Sequence, residues 1–589
     1  MAEKTGKAFD VSIFTRLMSF AKAYRMQFTI AVSSTILLAL ATAARPYVLI
    51  QTVDHFIATK DADQLQSFIL LMLGLLLVEV LLQFTFIYFA NWVGQHIIRD
   101  IRLKVFRRIL QFKMAYFDTT SVGKLVTRVV SDVETIAAFF SQGLFMIVSD
   151  VLKMCIVSVL MFALNWQLAL IVFALMPVLL YATKLFQEAI KETFQEVRTQ
   201  VANLNGFVQE RITGMKIVQL FNRESIEYKN FKEINEKHKK AHVKTVWYYS
   251  IFFPIAEIVS SIAIGLLVWF GGLQALENPA VTLGSIIGFI KMAEMLFRPL
   301  RQIADKFNQL QMGIVAGERI FKVIDTESTI ANTGTLSAEN IQGSIAFENV
   351  HFSYIQGEPV LKGISFGVEK GQTIAIVGAT GAGKSTIINL INRFYELDSG
   401  RICIDAIPVE DYTLASLRKQ LAVVLQDVFL FSDSIENNIT LKDPAISLET
   451  VMEAAQKIGI HDFIMSLPNG YQYNVKERGI MLSSGQRQLI AFLRAYVSKP
   501  RVLVLDEATS SVDAYAEQMI QFATQEITKG RTAIVIAHRL TTIKNADKIL
   551  VLDNGLLVEE GTHQELLQQP KGYYKNLYEK QFESTKAAL

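Results

Sequence analysis

The sequence predicts two domains of different chemistry in one chain: an all-α membrane domain of six helices, then a soluble α/β domain. Three observations predict this. The 589 residues are 51% hydrophobic and only 19% charged, where soluble proteins carry about 25% charged residues. Six long apolar runs lie before residue 310. After residue 340 a short β-branched run, a glycine-rich loop and a helix-like stretch follow one another. Length alone would suggest about four soluble domains of roughly 150 residues, and the hydrophobic excess argues against that. A net charge of +3 is too small to point to a nucleic-acid partner. The cysteines, Cys155 and Cys403, are far apart in sequence. They exclude a disulfide scaffold and a cysteine-based zinc site, and they suit a reducing compartment.

A membrane-crossing helix needs about 20 mostly apolar residues to traverse about 30 Å of hydrocarbon. Six stretches qualify: about 27–52, 67–93, 138–164, 166–186, 247–274 and 281–305. The second holds the run Ile69 to Val78, and the fifth holds Ile262 to Phe270. Lysine and arginine near the spans set the orientation. They crowd the N-terminal segment (Lys4, Lys7, Arg16, Lys22, Arg25) and the loop after the second span (Arg99, Arg102, Lys104, Arg107, Arg108, Lys113). They recur from Lys191 to Lys244. The opposite loops, 58–63, 165–166 and 277–279, are short and carry little positive charge. Both termini are therefore expected in the cytoplasm, in a multi-pass protein of the cytoplasmic membrane. No small-residue cleavage site follows the mixed-charge N-terminus, so no signal peptide is expected.

The two long cytoplasmic stretches, 94–137 and 187–246, are poor in glycine and proline. They read as polar extensions of the membrane helices, turning near 118–124 and 214–216. The polar segment 325–340 lacks a helical stripe and reads as a linker. The expected division is thus 1–324, 325–340 and 341–589.

The soluble part carries the chemistry. The run Thr373 to Val377 leads into Gly378, Ala379, Thr380, Gly381, Ala382, Gly383, Lys384 and Ser385, and Thr386 opens the next stretch. This is the glycine-rich phosphate-loop pattern in its strand–loop–helix setting. Its backbone N–H groups can wrap a phosphate chain, helped by the positive end of the helix. Lys384 is placed to reach the β/γ-phosphates of a nucleotide, and the Ser385 hydroxyl to bind Mg²⁺. The apolar run Val502 to Leu505 ends in Asp506 and Glu507. Asp506 can hold Mg²⁺ and Glu507 can polarise an attacking water. A third run, Thr532 to Ala537, ends in His538.

Between the phosphate loop and the acidic strand lies Leu482-Ser483-Ser484-Gly485-Gln486-Arg487-Gln488. It resembles the LSGGQ signature of ABC ATPases, with Ser484 in place of the first glycine. Gln426 resembles the family's Q-loop, Ser510 to Asp513 its D-loop, His538 its H-loop and Tyr354 the aromatic that stacks on adenine. Glu477-Arg478-Gly479 resembles the segment exporters carry before the signature. Phe117 to Arg128 resembles the first coupling-helix region of ABC exporters, and Gly214 to Phe221 the second. The resemblance spans nearly the whole chain: an exporter-type membrane domain plus a P-loop ABC ATPase domain, a half-transporter of the multidrug or lipid exporter type.

The resemblance implies a partner, a second half-transporter that is a copy of this chain or a different one. ATP would lie between one phosphate loop and the partner's Ser483, Gly485 and Gln486. Glu507 would be the general base, His538 would hold the γ-phosphate, and Gln426 would sense Mg²⁺. The changed residue Ser484 leaves two readings open: a weakened site in a heterodimer, or a tolerated serine in a homodimer. Glu79, Lys153, Glu257, Lys291 and Glu294 fall in or near the spans and are candidates for lining a substrate path or for pairing with each other. The cargo is expected to be a small amphipathic or hydrophobic compound, a lipid or a peptide. An N-terminal cysteine peptidase domain is not expected.

Overall fold

The computed structural model describes residues 10–57, 62–277, 281–506, 514–537 and 539–579. Two compact units emerge. One holds the residues up to Leu110 and Val122–Thr326, the other Gln111–Ser121 and Glu327 onward.

The first unit is helical. Its long elements are α1 (Arg25–Gln51), α2 (Ala62–Leu110), α3 (Phe145–Leu164), α4 (Trp166–Thr213), α5 (Glu224–Glu277) and α6 (Leu283–Asp325). At about 1.5 Å per residue, the 48 residues of α4 and 54 of α5 reach about 72 and 81 Å. That is more than twice the roughly 30 Å of a hydrocarbon core. An apolar half therefore continues unbroken into a polar half. Asn165 starts α4 by accepting hydrogen bonds from Gln167 N and Leu168 N at 3.0 and 3.1 Å. Gly214 ends it, and a short helix, Met215–Leu220, turns the chain toward α5. The core runs along α3 to α6 through residues such as Val172, Phe186, Phe252, Phe289 and Phe297.

Among the described residues, five helical stretches are long and apolar enough to cross a membrane: Val11–Ile57, Asp63–Leu110, Val122–Leu164, Trp166–Thr213 and Glu224–Glu277. The sixth expected span lies in α6, which is helical throughout but carries Lys291, Glu294, Arg298 and Arg301. The first expected span belongs to a longer run. A helix at Val11–Ala21, capped by the Asp10 carboxylate accepting from Ser12 N at 2.8 Å, precedes it. The loop residues 58–61 and 278–280, with Lys4 and Lys7, lie outside the described residues.

The second unit is α/β. Its strands are β1 (Ile345–Ser353), β2 (Pro359–Val368), β3 (Thr373–Gly378), β4 (Ser399–Ile404), β5 (Ile407–Pro408), β6 (Leu421–Val424), β7 (Val502–Asp506), β8 (Thr532–Ile536), β9 (Lys548–Asp553) and β10 (Leu556–Gly561). A four-stranded sheet runs β2-β1-β4-β5, and a six-stranded sheet runs β10-β9-β3-β8-β7-β6. In the larger sheet β9, β3, β8, β7 and β6 are parallel. Parallel strands are covered on both faces, so they read as continuous apolar runs. Ile534 and Ile536 of β8 face one core while Ala533 and Val535 face another, and Val504 and Leu503 of β7 divide the same way.

Candidate nucleotide-binding site

Parallel order brings the carboxyl ends of β3, β8, β7 and β6 to one edge of the sheet, where α/β proteins bind ligands. The phosphate loop leaves β3 there and ends at α7 (Lys384–Ile391). Two glycines are required by geometry. Gly383 has φ +101°, a left-handed conformation that side chains rarely adopt. A Cβ on Gly378 would stand 2.2 Å from the Leu552 carbonyl oxygen of β9. Ala379, Thr380, Gly381 and Ser385 are exposed, while Ala382, Gly383, Lys384 and Thr386 are buried. Lys384 Nζ donates to the carbonyl oxygens of Gly378 and Ala379 at 2.8 and 2.9 Å. Burial lowers the Lys384 pKa, opposed by the charge of Asp506. The loop thus holds its own lysine, with the ammonium poised at its centre.

Asp506 ends β7, two strands from the loop. Burial raises its pKa, Lys384 pulls it down, and Asp427 pushes it further up. A carboxyl so placed favours a second cation. This carboxyl and the exposed Ser385 hydroxyl are hard oxygen donors, the class that suits Mg²⁺. Gln426 is exposed just past the end of β6. Glu507, the Ser510–Asp513 run and His538 lie outside the described residues.

Tyr354 follows β1 and is 44% exposed, so part of its ring is open to a base. Its hydroxyl accepts from Asn389 Nδ2 at 3.0 Å and donates to Thr386 Oγ1 at 3.3 Å, both residues of α7. The phosphate helix therefore fixes the aromatic. Sequence reasoning missed Asn389 and also Tyr395, whose ring stands edge-on to Tyr354 at 5.1 Å. Neither residue stands in a motif, so no pattern along the chain announces it.

The signature opens α8 (Ser484–Val497). Ser483 is its N-cap in a reciprocal capping box: its hydroxyl accepts from Gln486 N at 3.2 Å, and its own N–H donates to Gln486 Oε1 at 2.9 Å. Gly485 is buried, and Ser484 is an exposed first helical residue. Arg487 braces the turn by donating to the Leu482 carbonyl at 2.8 Å.

Four of the charges expected in or near the spans, Glu79, Glu257, Lys291 and Glu294, pair. Glu79 is buried and faces Arg45 at 3.3 Å. Glu257 meets Arg301 at 2.5 Å, and Lys291 meets Glu294 at 3.0 Å. Asp150 meets Lys306. Pairing is how such charges persist in an apolar setting.

Comparison with known proteins decides the family. The ABC transporter transmembrane region matches residues 28–300, and the ABC transporter family matches residues 361–510. The chain is 35% identical over 583 residues to the uncharacterized ABC transporter ATP-binding protein YknV of Bacillus subtilis, covering 98% of this chain and 96% of that one. The chain belongs to the ABC transporter family. It is also 32% identical over 577 residues to an ATP-dependent lipid A-core flippase of Syntrophus aciditrophicus, covering 98% of this chain and 96% of that one. A solved structure titled as a bacterial Atm1-family ABC exporter with ATP bound superposes with a TM-score of 0.79 at 29% identity, covering 95% of this chain and 98% of that one. This ABC protein is a multi-pass, exporter-type half-transporter whose ATPase domain binds ATP and couples its hydrolysis to transport. One membrane domain and one ATPase domain per chain imply that it works as a dimer.

Proposed function

We propose that this ABC exporter expels hydrophobic or amphipathic compounds across the cytoplasmic membrane by alternating access. A head-to-tail dimer of ATPase domains powers it, and both termini lie in the cytoplasm. The proposed boundaries are 1–324 for the membrane domain, 325–340 for the linker and 341–589 for the ATPase domain. The observation that carries this reading is the joining of phosphate loop, acidic strand end and capped signature helix in a chain of long apolar rods.

In this reading ATP stacks on Tyr354, and its phosphates lie along Gly378–Thr386. Lys384 exchanges its two carbonyl partners for phosphate oxygens. Ser385, Gln426 and Asp506 would hold Mg²⁺, which would supply charge neutralisation on the phosphates. Ser483, Gly485 and Gln486 meet ATP bound to the partner subunit. Glu507 takes the proton of the attacking water and His538 steadies the γ-phosphate. Phosphoryl transfer needs positioning and electrostatics more than covalent chemistry, and this set supplies both. Ser484 sits in helical conformation, which demands no glycine, so the proposed dimer can pair two copies of this chain or this chain with a different half-transporter. A lipid flippase or peptide exporter on the same scaffold is the alternative, and the lipid A-core flippase relative supports the flippase form.

The test uses the full chain, expressed alone and reconstituted in liposomes. The Glu507→Gln variant is expected to retain ATP and lose turnover by on the order of 10²-fold or more. Normal hydrolysis by that variant would refute the role of Glu507. Screening drugs, lipids and peptides for stimulated turnover and uphill movement separates the cargo classes. A chain that stays monomeric and inactive alone would refute the homodimer.

A further inference from the structure

The short helix Met114–Thr119 lies in the chain between α2 and Val122, yet it belongs to the α/β unit. Its entry is tied down by backbone. Lys113 N donates to the Ser328 carbonyl at 2.7 Å, and Phe112 forms an antiparallel bridge with Thr329. The rings of Phe112 and Tyr116 pack at 4.2 Å. One side chain of this helix, Asp118, has a partner far along the chain: the Tyr395 hydroxyl donates to Asp118 Oδ2 at 2.5 Å.

Tyr395 is also one of three rings around the adenine platform. It stands perpendicular to Tyr354 at 5.1 Å and packs edge-on to Phe352 at 5.7 Å, while Phe352 and Tyr354 meet at 4.8 Å. Edge-to-face packing is directional, so one ring cannot tilt without displacing the next. Tyr354 itself is pinned by Asn389 and Thr386 of the phosphate helix. Burial pushes the Tyr395 phenol far above its usual range, and the hydrogen bond to Asp118 pushes it further. The phenol therefore stays protonated, a permanent donor to a carboxylate, which is the stronger class of hydrogen bond.

We propose that Tyr395 is a positioning residue that makes the coupling segment 112–119 sensitive to whether a base is stacked on Tyr354. The chain of contact runs from the base to the Tyr354 ring, across the perpendicular Tyr395 ring, and through its hydroxyl to Asp118. The segment is joined covalently to α2, so tightening it reaches a long rod directly. What is sensed is the base, not only the phosphates. This rests on the nucleotide-site reading above and extends it by naming which part of the nucleotide the segment feels.

The experiment is hydrogen exchange of the amides of 113–119 in the full chain in lipid nanodiscs. Three ligands are compared: none, a non-hydrolysable ATP analogue with Mg²⁺, and inorganic tripolyphosphate with Mg²⁺. The ATP analogue is expected to slow exchange about tenfold, the scale of one charge-assisted hydrogen bond, and tripolyphosphate to leave it nearly unchanged. Tyr395→Phe, which keeps the ring and loses the donor, should abolish the slowing while affinity for a fluorescent ATP analogue stays within about threefold. Asp118→Asn keeps an acceptor oxygen and should restore most of the effect, while Asp118→Ala should behave as Tyr395→Phe does. A merely structural hydrogen bond would raise exchange equally with and without nucleotide. Full nucleotide-dependent slowing in both Tyr395→Phe and Asp118→Ala, or equal slowing by tripolyphosphate, overturns the proposal. Should Tyr395→Phe fail to fold, Asp118→Ala reads the same link from the other end. Failure of the unmodified chain to bind the ATP analogue at all would instead overturn the nucleotide-site reading.

Discussion

Strand β8 and the apolar part of α2 are both strongly apolar and obey opposite rules. Every residue of Thr532–Ile536 is buried, its alternate side chains filling two different cores. Of the most apolar stretch in Asp63–Leu110, only 6% is buried, and Leu70, Leu73, Leu77 and Phe84 are exposed. The difference lies in the solvent. Water drives the apolar side chains of the sheet inward. A bilayer is as apolar as leucine, so leucine on α2 gains nothing by turning inward. Hydrophobicity therefore reports burial in one region and surroundings in the other.

Substitution in the two regions should break or sharpen that contrast, and the largest effect belongs to the sheet. Ile534→Ala is expected to lower the stability of the α/β unit by about 2–5 kcal/mol. Leu77→Ala is expected to stay within about 0.5 kcal/mol, as surface changes do. Urea titration followed by thiol labelling separates the units, because Cys403 is buried in the sheet region and Cys155 is exposed in the helical unit. Burial pushes the Cys403 thiol pKa up, which slows its labelling until that unit opens. Equal losses for the two variants would contradict the contrast.

Next in size is a change that should touch chemistry and not folding. Lys384→Ala removes a buried ammonium whose folded partners are two loop carbonyls. ATP turnover should fall on the order of 10²-fold or more, while the Cys403 labelling midpoint shifts by less than it does in Ile534→Ala. A shift of the midpoint as large as that of Ile534→Ala would make Lys384 a structural residue first.

The same contrast explains what was legible in the sequence. The phosphate loop, Gly378 to Thr386, is contiguous, so its residues and their backbone needs can be read along the chain. Asp506 was readable as a strand end and Gln426 only through its resemblance to the Q-loop, and it is the order β3-β8-β7-β6 that brings the ends of their strands to one edge. Asn389 and Tyr395 carry no spacing signal. Their roles arise from contact with Tyr354 and with Asp118, the latter 277 residues away in sequence. The helix Val11–Ala21 escaped notice because it is short, and Arg16 on it is fixed by Asp325, 309 residues away. Glu257, Lys291 and Glu294 could be read as lining a path or as pairing; Lys291 and Glu294 do pair with each other, while Glu257 on α5 pairs with Arg301 on α6, a contact no linear pattern announces.

The smallest effect sets the acidic strand end against its own fold. Burial raises the Asp506 pKa, with Lys384 only partly offsetting it and Asp427 adding to it. The folded state then holds the proton to higher pH than the unfolded chain does. The stability this carboxyl contributes is fully present below the ordinary aspartate pKa of about 3.9. It is lost as pH rises through the raised value. Asp506→Asn keeps the shape without the charge. Without nucleotide it should be more stable than the unmodified chain at neutral pH, by about 1 kcal/mol, and the gap should close toward pH 4. With ATP and Mg²⁺ the order should reverse. The unmodified chain then gains about 2.7 kcal/mol at a hundredfold excess of ligand over Kd, and the asparagine variant, poorer as a metal ligand, gains less. Melting curves at several pH values with and without Mg-ATP read both signs. A variant less stable than its parent in the nucleotide-free state at neutral pH would show that this carboxylate supports the fold rather than straining it.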